Sequence, residues 1–283
     1  MRLFKKILKI IGVLVLLIFI GLYWAFSSFT APKSDEEVLN KFKESTFQPI
    51  LTHEKFKGFE YRKLSIIKDT TFSNLIFVHG TIGSSTDFVE YMTDSLLLTK
   101  ANMISYDRIG YNYDDKNSVQ ESIAFERDML EEIVKNYNPE KTIIVGYSYG
   151  GPIALATKKK FKKIILLAPA VYSKVEPIPF MLNFYKWKLT RWLVPDVWKE
   201  ASKEKMTHKK DLEKFENDWK STPNTVISIH GNDDGIVPYS NSEFLQKQFP
   251  SNQFELIILD DTGHGLIWSN FDFIKEQFIK QLD

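Results

Sequence analysis

The first 32 residues combine a short basic segment with a long apolar one. Four basic residues between Arg2 and Lys9 precede an uncharged run from Ile10 to Pro32, whose apolar part continues through Phe29. A helix needs about 20 apolar residues to cross a bilayer. We therefore predict that residues 1–32 form a basic flank and a transmembrane anchor.

The flanks of this run predict its orientation. Basic residues before a membrane segment favour a cytoplasmic N-terminus, and Tyr23 and Trp24 near its far end suit the headgroup interface. We expect the body of the protein to be extracytoplasmic. A cleaved signal peptide, with Ala25 and Ser27 as a small-x-small site, is the alternative and would give a secreted protein, but the run exceeds the roughly 7–15 residues of a signal core. A buried core helix would show polar positions at a 3.6-residue period, a pattern that is missing here.

The remainder of the chain shows the alternation of an α/β fold. Short aliphatic or β-branched runs alternate with helical patterns from Tyr61 onward, which implies a mostly parallel central sheet with helices on both faces. The predicted strands are Tyr61–Ile67, Asn74–Val78, Asn102–Tyr106, Thr142–Val145, Lys163–Leu167, Thr225–Ile229 and Phe254–Leu259. We predict one α/β domain over residues 61–283, preceded by a linker or docking segment over residues 33–60.

One interval interrupts the alternation. About 55 residues between Pro169 and Thr225 carry no strand pattern, which is much longer than a usual connection in such a fold. We predict an inserted helical cap over about residues 171–223. Its many aromatic side chains either line a ligand pocket or form the cap's own small core; Phe184, Trp187 and Trp192 are candidate substrate-binding residues, together with Tyr147 outside the cap.

Composition narrows the classes of function. The chain has 283 residues, of which 43% are hydrophobic, enough for one α/β domain with an insertion. Its formal net charge of +1 gives no reason to expect a nucleic-acid partner. The absence of cysteine excludes disulfides, thiolate zinc sites and a cysteine nucleophile.

A G-x-S-x-G sequence follows one predicted strand directly. Gly146, Ser148 and Gly150 are its fixed positions, with a helical pattern after them. This is the nucleophile-elbow pattern, in which a strained turn pushes the serine hydroxyl outward and neighbouring backbone leaves no space for side chains at the glycines. We predict that Ser148 is a nucleophile.

Four further motifs match the α/β-hydrolase superfamily in order, and the chain resembles that superfamily from about Tyr61 to its C-terminus. They are His79-Gly80-Thr81, Asp107-Arg108-Ile109-Gly110, the segment Gly231 to Pro238, and Thr262-Gly263-His264-Gly265. The second match is partial, because Asn112 and Asp114 stand where the family commonly has glycine and serine. We interpret Asp107 and Arg108 as architectural, and His79 as support for its loop.

The resemblance implies a site with three roles. Ser148 would be the nucleophile, His264 the base and Asp234 the acid, because the spacing to Val237-Pro238 selects Asp234 over Asp233. The backbone N–H groups of Thr81 and Tyr149 would form the oxyanion hole.

The resemblance implies no cofactor and no metal. The neighbouring carboxylates Asp114-Asp115 and Asp260-Asp261 are interpreted as solvated turns, and the isolated His53 and His208 as polar surface residues.

The predicted function is hydrolysis of a carboxylic ester or related acyl bond, with a lipid-like or otherwise apolar acyl substrate and a membrane attachment through the N-terminal helix. Carbon–carbon bond hydrolysis remains open, since the fold alone does not choose a substrate. The alternative from another class is a catalytically silent, membrane-tethered binding protein with the same fold. The sequence does not determine the oligomeric state.

Overall fold

The computed structural model describes residues 1–113 and 118–282. Asp114 and Asp115, which entered the sequence interpretation above, lie outside the described residues. Within the described part, eight strands form one sheet: β1 Ile50–Phe56, β2 Phe59–Ile66, β3 Ser73–Val78, β4 Ala101–Tyr106, β5 Thr142–Tyr147, β6 Lys163–Leu167, β7 Val226–Gly231 and β8 Phe254–Leu259.

Helices connect the strands and extend the chain at both ends. They are α1 Arg2–Thr30, α2 Asp35–Asn40, α3 Val89–Thr93, α4 Ile123–Ile133, α5 Gly150–Leu155, α6 Leu182–Lys186, α7 Asp196–Leu212, α8 Ser240–Gln248, α9 Leu266–Ser269 and α10 Phe271–Leu282. Short 3₁₀ turns cover Ser85–Phe88, Leu97–Thr99, Pro139–Lys141, Ser173–Val175, Arg191–Leu193 and Trp219–Ser221.

The strand order is β1-β2-β4-β3-β5-β6-β7-β8. The pairs β1/β2 and β2/β4 are antiparallel and every later neighbouring pair is parallel. This confirms the predicted mostly parallel sheet, and all the predicted strands are present. Their carboxyl ends meet at one edge, which is where open α/β sheets place their binding sites.

The central strands are buried on both faces, as parallel strands under two helical layers must be. In β3, Leu75 and Phe77 belong to one apolar cluster, and Ile76 and Val78 belong to the cluster on the opposite face. Two layers of helix therefore cover the sheet and hold its central strands in a fixed register.

Strand β1 is absent from the sequence prediction, which assigned residues 33–60 to a linker or docking segment. The sheet begins at Ile50 rather than at Tyr61. This strand lies at the sheet edge and has no buried residue, so its sequence lacks the apolar alternation that identifies a half-buried strand. The hairpin of β1 and β2 is indicated instead by its two-residue turn, in which Lys57 and Gly58 have φ values of +47° and +90°.

The same segment also docks onto the body. Helix α2 begins with a capping box, in which the Ser34 hydroxyl accepts from the Glu37 N–H and the Glu37 carboxylate accepts from the Ser34 N–H. Val38 and Phe42 are fully buried in the core. The chain between α1 and the sheet is therefore fixed against the domain.

An insertion without strands separates β6 from β7. All of residues 168–225 are described, and the helices among them are α6 and α7 with three 3₁₀ turns. Helix α7 packs on the body through buried polar groups: the Asp211 carboxylate accepts from the Ile123 N–H at 2.5 Å, and the Glu200 carboxylate accepts from the Val119 N–H at 2.9 Å. We refer to this insertion as the cap.

Candidate active site

Ser148 lies in the turn that joins β5 to α5. Its φ is +53°, a left-handed conformation that is costly for a residue with a side chain. The surrounding backbone holds this turn, because the Ser148 N–H donates to the Leu167 carbonyl at 2.9 Å and the Ser148 carbonyl accepts from Gly151 and Ala170 N–H groups. The strain is thus supported by fixed hydrogen bonds on both sides of the serine.

The glycines of the turn are required by close backbone approach. A Cβ atom at Gly146 would lie 2.4 Å from the Gly150 carbonyl oxygen, and one at Gly150 would lie 2.1 Å from the Val78 carbonyl oxygen. Real Cβ atoms do not approach backbone so closely. The turn can therefore form only with glycine at these two positions, as the sequence motif predicts.

The three residues assigned from the sequence meet at the carboxyl edge of the sheet. His264 Nε2 lies 3.0 Å from Ser148 Oγ, and His264 Nδ1 lies 2.7 Å from Asp234 Oδ2. An ionised carboxylate can only accept, so His264 donates from Nδ1. The lone pair of Nε2 then faces the serine hydroxyl, which is the arrangement a general base needs.

Asp234 is held by its own loop. Its Oδ1 accepts from the Ile236 and Val237 N–H groups at 2.9 and 2.8 Å, while Oδ2 faces His264. Burial by itself would raise the pKa of this carboxyl, but hydrogen bonds from His230, His264 and the Val237 N–H lower the pKa well below its usual value. The carboxylate is therefore ionised throughout the neutral range.

The neighbouring Asp233 takes no part in this arrangement. Its side chain is exposed, and its backbone N–H donates to the Thr262 carbonyl at 3.1 Å. The contact with His264 is made by Asp234, the residue that the spacing in the sequence selects.

Tyr147 packs against His264. Its ring stacks on the His264 ring with centroids 5.2 Å apart, and its hydroxyl donates to the His264 carbonyl at 2.9 Å. Tyr147 was predicted from the sequence to be a candidate substrate-binding residue. In the structure its ring also contacts the Trp268 ring with centroids 6.0 Å apart, and only 6% of the residue is exposed.

The loop after β3 lies directly against the nucleophile. A Cβ atom at Gly80 would lie 2.8 Å from Ser148 Cβ. Within the part of the chain that the structure describes, the N–H groups of Thr81 and Tyr149 donate to no protein acceptor. These two donors, one from each side of Ser148, form the candidate oxyanion hole.

His79 fixes the shape of this loop. Its Nδ1 donates to the Gly80 carbonyl at 2.7 Å, and its Nε2 accepts from the Arg108 N–H at 2.9 Å. Burial, together with the nearby Arg108 charge, lowers the pKa of His79 to about 3. The ring is therefore neutral, and its contacts match the supporting role inferred from the sequence.

A buried charge cluster joins the loop to the cap. Glu204 of α7 accepts from the Thr81 hydroxyl at 2.6 Å and from the Tyr111 hydroxyl at 2.9 Å, and it pairs with Arg108. The Arg108 guanidinium lies 4.4 Å from the Tyr149 ring centroid and donates to the Gly80 carbonyl. Glu204 and Arg108 therefore contact both residues that supply the candidate oxyanion donors.

The sequence gives no signal for Glu204. The Thr81–Glu204 contact joins positions 123 residues apart, and Glu204 is one of many charged residues in a helix whose sequence reads as polar. Asp107, interpreted as architectural, pairs with Arg62 and accepts from the Ser85 N–H at 2.6 Å.

The sequence interpretation of His208 was wrong. It was expected to be a polar surface residue, but it lies on α7 with 1% of its surface exposed. Its ring lies 4.5 Å from the Tyr149 ring, and its Nε2 donates to the Ala170 carbonyl. Burial lowers its pKa to about 3, so it acts as a neutral packing residue. His53, in contrast, is exposed and pairs with Asp35 at 2.8 Å.

The three candidate substrate-binding aromatic residues of the cap make no ring contact with the residues around Ser148 in the described part of the chain. Phe184 and Trp187 contact each other with ring centroids 6.3 Å apart, and both are exposed. Trp192 is 71% exposed and lines a cavity beside α1 that does not include Ser148. Their role in substrate binding stays a prediction.

Comparison with known proteins finds one fold among the relatives of this chain. Residues 74–202 match the family model described as the alpha/beta hydrolase fold. A proline iminopeptidase from Saccharolobus solfataricus is 29% identical over 126 residues, which are 44% of this chain and 40% of the relative. The chain thus matches well under half the length of this curated relative.

Solved structures extend the likeness over most of the chain. An esterase from Exiguobacterium antarcticum superposes with a TM-score of 0.66 at 16% identity, covering 82% of this chain and 99% of that one. The 2-hydroxy-6-oxo-6-phenylhexa-2,4-dienoate hydrolase from Rhodococcus sp. strain RHA1 gives 0.66 at 18% identity, covering 83% and 99%. At these identities the structures establish the fold alone. Together with the family model, they show that this chain has the α/β-hydrolase fold.

Proposed function

We propose that this protein is a membrane-anchored serine hydrolase that cleaves a carboxylic ester or a related acyl bond. The observation that supports this most strongly is the chain of two contacts from Asp234 through His264 to Ser148, at 2.7 and 3.0 Å. A serine hydroxyl beside an oriented neutral imidazole is an activated nucleophile for acyl transfer.

The proposed reaction proceeds in two halves. Ser148 Oγ attacks the carbonyl carbon while its proton moves to His264 Nε2, and the oxyanion that forms accepts from the Thr81 and Tyr149 N–H groups. His264 then gives the proton to the leaving alcohol, which departs and leaves an acyl group on Ser148. Water, deprotonated by His264, attacks this acyl group and releases the acid.

Membrane anchoring rests on α1. It has 29 residues, a mean hydropathy of 2.5 over its most apolar window and no buried residue, so it is long and apolar enough to be a membrane span or a signal sequence. We propose an uncleaved anchor with a cytoplasmic N-terminus, because the basic residues precede the apolar run. This location favours a lipid-like acyl substrate.

Turnover of a series of p-nitrophenyl esters tests the proposed function. The full-length protein in detergent is expected to hydrolyse these esters and to prefer long acyl chains over acetate. Equal turnover of short and long chains would contradict the lipid-like substrate. No turnover of any ester by well-folded protein would contradict the hydrolase and favour the silent binding protein.

Glu204 is proposed as a positioning residue for the oxyanion hole. Glu204→Gln removes the charge that pairs with Arg108 and weakens the acceptor for the Thr81 hydroxyl. We expect kcat to fall about tenfold, which is less than the loss of a whole oxyanion donor, and KM to change by less than about twofold because the donor acts mainly on the transition state.

Glu200→Gln is the matched control for this prediction. Glu200 lies one turn away on α7, is equally buried, and accepts from the Val119 N–H rather than from the oxyanion loop. Both variants are expected to lose some thermal stability, and only Glu204→Gln should lose kcat. Equal losses of kcat in both variants would show that Glu204 has a purely structural role.

A further inference from the structure

The cap exposes a continuous series of large apolar side chains. We call residues 178–193 the apolar cap surface. Eight of their side chains are between 37% and 88% exposed: Ile178, Phe180, Met181, Phe184, Trp187, Leu189, Trp192 and Leu193. Soluble proteins rarely leave such a set of aromatic and aliphatic side chains in water, so a concentrated apolar surface indicates contact with a partner or a membrane.

This surface lies beside the end of α1. The Phe26 ring of α1 contacts the Trp198 ring of the cap, with centroids 5.6 Å apart. A cavity of about 580 Å³ is lined by Tyr23 and Ser27 from α1 and by Trp192 from the cap, among other residues. Trp192, at the C-terminal end of the apolar cap surface, therefore lies at the level of Tyr23 and Ser27 along the α1 axis.

That level lies within a bilayer if α1 spans it. Counting from Lys9, the last basic residue before the apolar run, Tyr23 is about 21 Å further along the helix and Phe29 about 30 Å, at 1.5 Å per residue. The hydrocarbon core is about 30 Å thick. With Lys9 at one interface, Phe29 reaches the other, and Tyr23 with its neighbour Trp192 lies several ångströms below it.

The connection between α1 and the body is short. Helix α1 ends at Thr30 and α2 begins at Asp35, and the short connection is bound to the sheet. The Arg62 guanidinium donates to the Lys33 carbonyl at 2.8 Å and pairs with the Asp35 carboxylate at 3.0 Å. An anchor joined to the domain by so short and fixed a segment keeps the domain close to the membrane, and the Phe26–Trp198 contact places the cap beside the anchor.

The charges of the apolar cap surface fit a lipid headgroup layer. Residues 178–193 contain Lys186, Lys188 and Arg191 and no aspartate or glutamate, although the whole chain has a net charge of only +1. Basic residues interleaved with aromatic and aliphatic ones are typical of segments that lie in the interface of a membrane with anionic lipids.

We propose that the apolar cap surface is embedded in the outer half of the same bilayer that α1 crosses. Its aromatic and aliphatic side chains lie at the boundary between acyl chains and headgroups, and its three basic side chains contact anionic headgroups. The proposal rests on the proposed anchoring by α1 and does not depend on the catalytic assignment.

Fluorophores at single cysteines test this placement, since the chain has no cysteine of its own. Leu189→Cys, Ile18→Cys and Gln246→Cys are each labelled with an environment-sensitive fluorophore in the full-length protein, in vesicles of phosphatidylcholine and phosphatidylglycerol. All three side chains are exposed in the structure, so the substitutions leave the packing intact. Lipids with a quenching group near the headgroups or near the bilayer centre then report the depth of each label.

The expected result is that the label at Leu189 loses roughly half of its fluorescence to the shallow quencher and less to the deep one, as for a segment in the interface. The label at Ile18 should be quenched best by the deep quencher, and the label at Gln246 on α8 by neither. Quenching at Ile18 without quenching at Leu189 would overturn the placement of the cap and leave the anchor. A label at Leu189 in an apolar environment that lipids do not quench would identify a protein contact instead. Absence of quenching at both sites would contradict the anchor itself.

Discussion

Replacing Ser148 with alanine is expected to lower kcat for ester hydrolysis by about 10⁴-fold or more, with the fold unchanged. Alanine keeps the Cβ atom and removes only Oγ, the atom that His264 contacts at 3.0 Å. Among residues 1–113 and 118–282, no other side-chain hydroxyl contacts His264 Nε2. Initial rates with a p-nitrophenyl ester, measured beside circular dichroism spectra, check this expectation.

Two further variants make the test of Ser148 specific. His264→Ala is expected to lower kcat about as much as Ser148→Ala does. The double variant should lower kcat little further, because residues that act as one unit give non-additive losses. Ser251→Ala, at an exposed turn, should retain full activity. A Ser148→Ala protein that keeps more than about one tenth of the activity would contradict the assignment of the nucleophile.

Asp234→Asn is expected to lower kcat by about 10³- to 10⁴-fold. The Ile236 and Val237 N–H groups donate to one oxygen of this side chain, so in the variant the amide oxygen will occupy that position. The amide nitrogen then faces His264 Nδ1 and donates to it, which places the imidazole proton on Nε2. A protonated Nε2 cannot take the proton of Ser148.

Asp233→Asn is the matched control, since it changes the same charge one residue away at an exposed side chain. We expect its kcat to stay within about threefold of the wild type, as for a surface substitution outside the site. Measuring kcat for both variants with one ester separates the two carboxylates. Comparable losses in both would show that the loop as a whole, rather than Asp234, is required.

The Asp234 carboxylate also links stability to pH. Its pKa is lowered in the folded protein, so the charged form contributes stability that is present above the unfolded pKa near 4 and is lost as the pH falls further. The stability difference between the wild type and Asp234→Asn should therefore shrink on acidification. This comparison needs only melting temperatures over a pH series.

The parts of the fold that the sequence predicts are those with a strict local pattern. Strand β5, the turn at Ser148 and helix α5 follow from an apolar run, two glycines without space for a Cβ atom, and a helical pattern. His264 and Asp234 were assigned because short motifs follow the last strands in the family's order. The local sequence is sufficient to predict a site residue when the end of one strand and the turn after it determine where its side chain lies.

The parts that the sequence does not predict depend on distant contacts or on exposure. Strand β1 is polar because it lies at the edge of the sheet, so it has no apolar alternation to detect. His208 and Glu204 read as surface residues of a charged helix, and only the packing of the cap buries them against Tyr149 and Thr81. The aromatic residues of the cap were expected to line a substrate pocket or to form the cap's own small core, whereas several of them form an exposed surface.

The most direct test of the central claim is the site at which a fluorophosphonate reacts with the full-length protein. We expect one covalent adduct, located by mass spectrometry of the digested protein on the peptide that contains Ser148, and absent from Ser148→Ala and His264→Ala. An adduct on another residue, or no adduct on well-folded wild-type protein, would contradict an activated serine at this site.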